Sequence, residues 1–262
     1  MKKFIKTNIS VICAICLIFC TVGGFASAET VTSSTDIETD YSTVPIYLNG
    51  IKMADGLFAN ETTYLPLRTF FNAIGDQADI AWNDETNTAT VTGKDFVLTV
   101  TLGNNYLTIN DRCFYLPNGA LLVDGVMYLP IRELAKVYTA SVEWDVESSS
   151  VNISADKPVV ISTAANFYNE QDLYWLSRLI NAESGNQPLD GKIAVGNVVL
   201  NRVANPTCPD TIYGVVFDSK YGVQFSVTQN GTIYEEPNEE SVIAAKICLE
   251  GYNLVGDSIY FV

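Results

Sequence analysis

One five-residue segment is written twice. Tyr64-Leu65-Pro66-Leu67-Arg68 returns as Tyr128-Leu129-Pro130-Ile131-Arg132. A repeat constrains the fold more tightly than composition does, because both copies have to make the same local structure. Each copy opens a short helix, over residues 67–73 and 131–138, and its proline suits a first helical turn, where no N–H is needed. Each helix is followed by a strand bearing tryptophan, Trp82-Asn83-Asp84 in one copy and Trp144-Asp145 in the other. Each copy then ends in an alternating strand, over residues 88–92 and 149–153. Between the copies, residues 96–102 and 106–109 alternate around Gly103-Asn104-Asn105 and read as a hairpin. Ahead of them Ile46-Tyr47-Leu48 runs into Asn49-Gly50, a strong hairpin signal. This half is a duplicated unit of strands plus a short helix. Its acids are scattered and mostly follow turns, so no constellation in it carries chemistry.

The segment ahead of the repeat is of another kind. Lys2, Lys3 and Lys6 precede an apolar run over residues 11–21, and Ala26-Ser27-Ala28 supplies a small-residue cleavage site. Residues 1–28 therefore read as a secretory signal, with Glu29 as the first mature residue; the apolar run is too short for a membrane anchor. Cys16 and Cys20 follow Ile15 and Phe19 rather than small residues, which argues against lipidation. Residues 29–43, rich in Thr, Ser, Asp and Glu, read as a flexible leader.

Length and charge bound the rest. A chain of 262 residues accommodates about two domains of ordinary size. Its net charge is −15; cleavage of the signal removes three lysines and no acids, leaving −18. That excess of acid argues against nucleic acid, whose phosphates need a basic face, and against non-specific adsorption to anionic membranes or wall polymers. The chain contains no histidine. It cannot run a Ser-His-Asp or Cys-His nucleophile, nor build the usual histidine-bearing catalytic zinc site. Carboxylate acid/base work is the main hydrolytic chemistry left. Of six cysteines, Cys113, Cys208 and Cys248 survive signal cleavage. Cys208 and Cys248 could pair in an oxidising compartment, or all three could be buried thiols.

After a short linker over residues 156–166 the pattern becomes helical. Asn169 can cap a helix whose first turn carries Glu170 and Asp172. Leu173, Leu176, Ile180 and Glu183 then share one face. Glu183 stands on the apolar side at the last turn, where desolvation and the negative end of the helix dipole both raise a carboxyl pKa, as a general acid needs. Spacing alone also allows a solvated charge at a frayed end. The next helix, from Pro188 to Val203, has Gly196 for close helix approach, and its Asn197 and Asn201 could brace the loop that holds Glu183 or lie at the surface. Tyr213-Gly214-Val215-Val216-Phe217 and Gly222-Val223-Gln224-Phe225-Ser226-Val227 read as short strands or loops. They mix aromatics with amides and hydroxyls, as sugar sites and ordinary β-core edges both do. A last helix over residues 239–252 turns Val242, Ala245 and Leu249 inward.

Two resemblances follow from these residues. The paired YLPLR and YLPIR segments with their trailing W-N-D and W-D resemble the copper amine oxidase N-terminal-like stalk domain, over residues 44–155. Such domains act as spacers or wall-attachment modules; with no histidine in the segment, copper is not implied. The run DLYWLSRLINAESGNQPLDGKIAVGNVVLNRV, then TIYGVVFD, GVQFSV and the terminal IYF, resembles the SleB-type spore cortex-lytic cell wall hydrolase family over residues 170–262. That resemblance implies a lysozyme-like fold, peptidoglycan as substrate, and Glu183 as the catalytic acid. Where the family pattern has G-E-P this chain has Asn186-Gln187-Pro188, so the second acid of that segment is missing.

The expected fold is α+β: a strand-rich duplicated stalk domain followed by a mainly helical, lysozyme-like domain over residues 167–262, ending early on an apolar strand at Tyr260-Phe261-Val262. The expected activity is that of a secreted, wall- or spore-associated lytic transglycosylase with no metal or cofactor. In it Glu183 is the catalytic group, and Gln224, Phe225 and Ser226 contact sugar. Hydrolysis would call for a second acid, for which Asp190, Asp218, Glu235 and Glu236 are candidates. An N-acetylmuramoyl-L-alanine amidase and a non-catalytic wall-binding protein are the alternatives; missing zinc ligands weigh against the former, and the early end favours the latter.

Overall fold

The computed structural model describes residues 41–75, 77–155, 158–220 and 222–260. The signal segment 1–28 and most of the leader 29–43 lie outside the described residues. Ser42 and Thr43 do not: they pair with Phe58 and Leu57 at the start of the first strand.

In chain order the first half consists of β1 (Ser42–Leu48), β2 (Ile51–Ala59), β3 (Thr62–Pro66), α1 (Leu67–Ile74), β4 (Asp79–Asn83), β5 (Thr88–Thr92), β6 (Val97–Thr101), β7 (Tyr106–Ile109), β8 (Arg112–Tyr115), β9 (Leu121–Val123), β10 (Val126–Pro130), α2 (Ile131–Lys136), β11 (Ser141–Asp145) and β12 (Ser150–Ser154). They form a seven-stranded sheet, ordered β11-β12-β1-β2-β3-β10-β9, and a five-stranded meander, β4-β5-β6-β7-β8. Asn49 and Gly50 both have positive φ, the hairpin turn their sequence announced. Asn60-Glu61, Asn110-Asp111 and Asp124-Gly125 turn in the same way; the first two lack glycine and carry a weaker signal.

The two copies of the repeat meet each other. β3 and β10 pair antiparallel with Leu65 opposite Leu129, flanked by Tyr128 opposite Pro66 and Pro130 opposite Tyr64. Like segments paired antiparallel about a common centre define a local two-fold axis. Pro66 and Pro130 stand at the N-cap, one position before the first helical turn. The two copies then diverge, since β4-β5 enters the meander and β11-β12 the larger sheet. One apolar core draws on both sheets and both helices, with Phe71 stacked on Phe96 at 5.4 Å and Phe70 and Tyr138 around them.

The second half is helical: α3 (Ala164–Phe167), α4 (Glu170–Ser184), α5 (Leu189–Ala204), α6 (Ile212–Val216), α7 (Val227–Asn230), a 3-10 turn at Thr232–Tyr234, and α8 (Glu239–Leu249). Two segments expected as strands or loops are not strands. Most of Tyr213–Phe217 lies in α6, whose Thr211 side chain accepts the Gly214 N–H as a cap, and residues 222–226 lead as a loop into α7. Of the strand expected at Tyr260-Phe261-Val262, Phe261 and Val262 lie outside the described residues; just ahead of it Arg202 Nε–H donates to the Ile259 carbonyl at 2.8 Å. On α8 the buried residues include Ser241, Ala244, Ala245 and Cys248, while Val242 and Leu249 are only half-buried. Gly196 serves the close approach its sequence position suggested: a Cβ there would lie 2.6 Å from Cys248 Sγ and 2.9 Å from Ile180 Cδ1. No helix among the described residues is long and apolar enough to cross a membrane.

The halves share structure. Cys113 and Tyr115 of β8 belong to the same apolar cluster as Leu176, Ile180, Ile193 and Ile247 of the helices. Arg112 donates from Nε and Nη2 to the two carboxylate oxygens of Glu250 at 2.8 and 2.7 Å, and the Tyr168 hydroxyl donates to Glu250 Oε1 at 2.6 Å. The Tyr115 hydroxyl donates to Asp190. The linker is tied down as well, through Ile161 N–H to Val137 O and Ala164 N–H to Asn110 O. The three described cysteines are free thiols: Cys113 and Cys248 are buried, Cys208 half-buried, and no Cys208–Cys248 bond forms.

Candidate active site

α4 starts and stops where its sequence says it should. Asn169 Oδ1 accepts the N–H groups of Gln171 and Asp172 at 2.9 and 3.1 Å. Leu176, Leu179 and Ile180 are fully buried on its inner face. The last turn closes with the Ser184 hydroxyl donating to Ile180 O at 2.8 Å.

Glu183 sits in that last turn, half-buried. Its Oε1 is inaccessible and has no hydrogen-bond partner. Burial pushes the carboxyl pKa above the usual glutamate value, and burial is the one cause at work. A carboxyl so placed holds its proton more tightly than a surface acid. It faces a polar cavity of about 540 Å³ bounded by residues 181–187 on one side and by Glu236, Pro237 and Asn238 on the other.

Three side chains hold that second wall in place. Asn181 Oδ1 accepts the Asn238 N–H at 3.1 Å and the Ser241 hydroxyl at 3.3 Å. The Asn238 amide donates to Gly185 O at 3.1 Å, while its own oxygen caps α8. Buried Arg178 pairs with exposed Glu236 at 2.5 Å and lies over the Tyr174 ring. The role considered for Asn197 and Asn201 falls elsewhere. Asn197 donates to Tyr252 O and accepts from Leu254 N–H, and Asn201 donates to Gly256 O and Ser258 O, so both brace the segment after α8. Asn181 and Asn238 do the bracing at Glu183. The sequence held one signal for this, the N-cap pattern of Asn238 before Glu239-Glu240.

Among the sequence-derived partners, the structure brings only Glu236 to the cavity beside Glu183. Asp190 is engaged by Tyr115. Asp218 and Gln224 line a different cavity, of about 530 Å³, with Arg202, Pro206 and Tyr260. Phe225, expected to contact sugar, is 2 % exposed and packs in the core of the helical half; its ring offers no free face. Ser226 is exposed at the start of α7. The three residues from 224 to 226 thus do not gather around Glu183.

A strand-rich module joined to a helical domain with a desolvated acid at a polar cavity is the frame into which the relatives fit. Residues 47–153 match the family described as copper amine oxidase N-terminal domain, and residues 186–262 match the family described as cell wall hydrolase. Glu183 stands just ahead of the second matched segment. Curated relatives include the spore cortex-lytic enzyme of Bacillus cereus, 31% identical over 96 residues, covering 37% of this chain and 36% of the relative. That of Bacillus subtilis is 27% identical over 103 residues, covering 38% and 33%. The chain spans about a third of the length of these relatives. The solved catalytic domain of the Bacillus cereus SleB protein is 32% identical, covering 36% of this chain and 72% of that one, with a TM-score of 0.33. A second such structure, from Bacillus anthracis, is described as a germination-specific lytic transglycosylase. The chain carries a copper amine oxidase N-terminal domain followed by a cell wall hydrolase domain homologous to the SleB spore cortex-lytic enzymes. The chain contains no histidine, and among the described residues no three His, Cys, Asp or Glu side chains group as metal ligands.

Proposed function

We propose that the helical half cleaves the glycan strand of peptidoglycan as a lytic transglycosylase, with Glu183 as both acid and base. The observation that carries this reading is the Glu183 carboxyl itself: desolvated, raised in pKa, without a protein partner at Oε1, and facing an open polar cavity. Protonated Glu183 gives its proton to the glycosidic oxygen between N-acetylmuramic acid and N-acetylglucosamine as the C1–O bond breaks. The carboxylate left behind faces the developing positive charge. It then takes the proton of the muramic acid C6 hydroxyl, whose oxygen bonds to C1 and closes a 1,6-anhydro ring. Glu183 ends as it began, and no water is consumed. The signal at residues 1–28 delivers the protein outside the cytoplasm to wall or spore cortex, and the first half holds it there.

A second reading rests on Glu236. Its place across the same cavity allows it to act as the partner acid of a hydrolase, although the Arg178 ion pair restrains it. Digestion of purified cortex or sacculi, with products read by mass spectrometry, separates the two. Anhydro-muropeptides should form, and Glu183→Gln should lower their rate about 10²–10⁴-fold, the usual contribution of general acid–base catalysis. Reducing-end muramic acid that disappears in Glu236→Gln would establish hydrolysis instead. Free peptides would indicate an amidase, and binding without release a non-catalytic wall protein.

A further inference from the structure

Five aromatic rings gather along α4 upstream of Glu183, Tyr174 among them with its centroid 4.9 Å from that of Trp175. Trp175 lies at their centre, with its ring centroid 5.4 Å from Tyr213, 5.1 Å from Phe217 and 6.2 Å from Tyr234, each at a steep angle. Tyr213 and Phe217 also pack on each other at 4.7 Å. Edge-to-face packing of this kind fixes ring orientation. The outer two rings remain open, Tyr213 at 55 % and Tyr234 at 60 % exposure. Rigid, exposed aromatic faces with a hydroxyl at the rim suit a ligand with apolar ring faces and polar edges.

The position of the cluster identifies that ligand. Tyr234 and Glu236 belong to one short stretch, which continues into Pro237 and Asn238. Tyr234 packs on Trp175, Glu236 pairs with Arg178, and Asn238 bonds to Asn181 and Gly185. This stretch therefore runs beside α4 from the aromatic cluster to the wall of the Glu183 cavity. Trp175 precedes Glu183 by eight residues, about 12 Å along the helix axis, the reach of a disaccharide. We propose that Tyr213 and Tyr234, held by Trp175 and Phe217, form a glycan-binding platform that seats the saccharide unit next to the one cleaved at Glu183. This rests on the reading of Glu183 as the glycan-cleaving acid. The platform is rigid before binding, so ordering it costs little of the affinity it supplies.

Trp175 is the one tryptophan of the helical half and serves as its own reporter. In the mature chain carrying Trp82→Phe, Trp144→Phe and Glu183→Gln, titration with peptide-free glycan strands should change Trp175 fluorescence saturably. Adding Tyr213→Ala and Tyr234→Ala should weaken binding at least about tenfold, whereas Tyr213→Phe and Tyr234→Phe should retain most of it. With Glu183 intact, the alanine pair should lower kcat/KM on long strands more than on tetrasaccharides, chiefly through KM. Unchanged glycan affinity in the alanine pair would overturn the platform and leave the patch to a protein partner. An equal loss on short and long substrates would overturn its placement beyond the cleaved unit. Because binding is read without turnover, undiminished cleavage by Glu183→Gln would refute the role of Glu183 and leave the tyrosine dependence readable on its own.

Discussion

The two halves of the molecule handle polar groups in opposite ways. The strand-rich half buries almost none: of eight buried polar or charged side chains among the described residues, it holds Arg112 and Ser150. The helical half holds Ser177, Arg178, Ser184, Lys192, Asn197 and Ser241. A buried polar side chain is costly unless partnered, so it persists where a fold has something to position. In the helical half these groups concentrate around the C-terminal end of α4 and the starts of α5 and α8, where Lys192 meets Glu240 and Ser241 meets Asn181. The strand-rich half instead places its polar groups outward along alternating strands and fills its centre with Phe and Leu. Of its two buried polar residues, Arg112 faces the other half. The difference teaches that one half is built to be rigid and the other to hold a site, and that a buried ion pair, Arg112 with Glu250, helps lock the two together.

That junction offers the strongest way to break the comparison. Arg112 and Glu250 side chains are 8 % and 6 % exposed and joined by two hydrogen bonds, with Tyr168 adding a third to the same carboxylate. Removing one member of a buried pair strands the other charge and costs about 3–5 kcal/mol. Arg112→Ala should therefore lose roughly that much stability in urea, and its unfolding should split into two transitions as the helical half detaches from β8. Arg112→Met combined with Glu250→Leu should recover most of the loss, since an apolar pair of similar volume strands no charge. A small loss in Arg112→Ala, with a single unchanged transition, would show that the remaining contacts, those of Cys113 and Tyr115 among them, suffice to join the halves.

How much of each half could be read in advance follows the same division. Alternation, turn residues and the repeat located the hairpin at Asn49-Gly50, both short helices and the alternating strands, because those signals are local. The pairing of Leu65 with Leu129 was not legible; a repeat does not say which sheet each copy will join. In the helical half the 3.6-residue spacing and the Asn169 cap placed α4 and set Glu183 on its buried side. The partners of Glu183's loop were not legible, since Asn181 and Asn238 are far apart in sequence and meet only when α8 packs on α4. Asn197 and Asn201 advertised a bracing role by their helical spacing, but spacing cannot say what lies opposite. Gln224-Phe225-Ser226 had a composition suited to sugar, yet composition does not tell a ring in the core from a ring in a cleft.

A smaller effect sharpens the contrast inside the helical half. Gly196 lies where α4, α5 and α8 come closest, and an added methyl would press on Cys248 Sγ and Ile180 Cδ1. Overpacking of this kind costs about 1–3 kcal/mol, outweighing the better helix propensity of alanine, about 1 kcal/mol. Gly196→Ala should thus be net destabilising in denaturant unfolding, and Cys248→Ala in the same chain should restore part of the loss by removing the sulfur. A stabilising Gly196→Ala would mean that the three helices pack more loosely than their side chains indicate.

The smallest expected effect bears most directly on the site. Burial raises the folded-state pKa of Glu183 above its unfolded value. The folded protein therefore binds this proton more tightly, a contribution to stability fully present below the unfolded pKa and lost as pH rises through the folded one. Glutamine carries no proton to lose. The stability of Glu183→Gln relative to the parent should be flat below about pH 4, where both forms are uncharged. It should climb as pH rises through the carboxyl's titration range and level off once the parent is fully ionised. Urea unfolding at a series of pH values reads the difference directly. A difference that stays level across the range would place Glu183 among the solvated charges and separate the apolar stripe of α4 from the acid at its end.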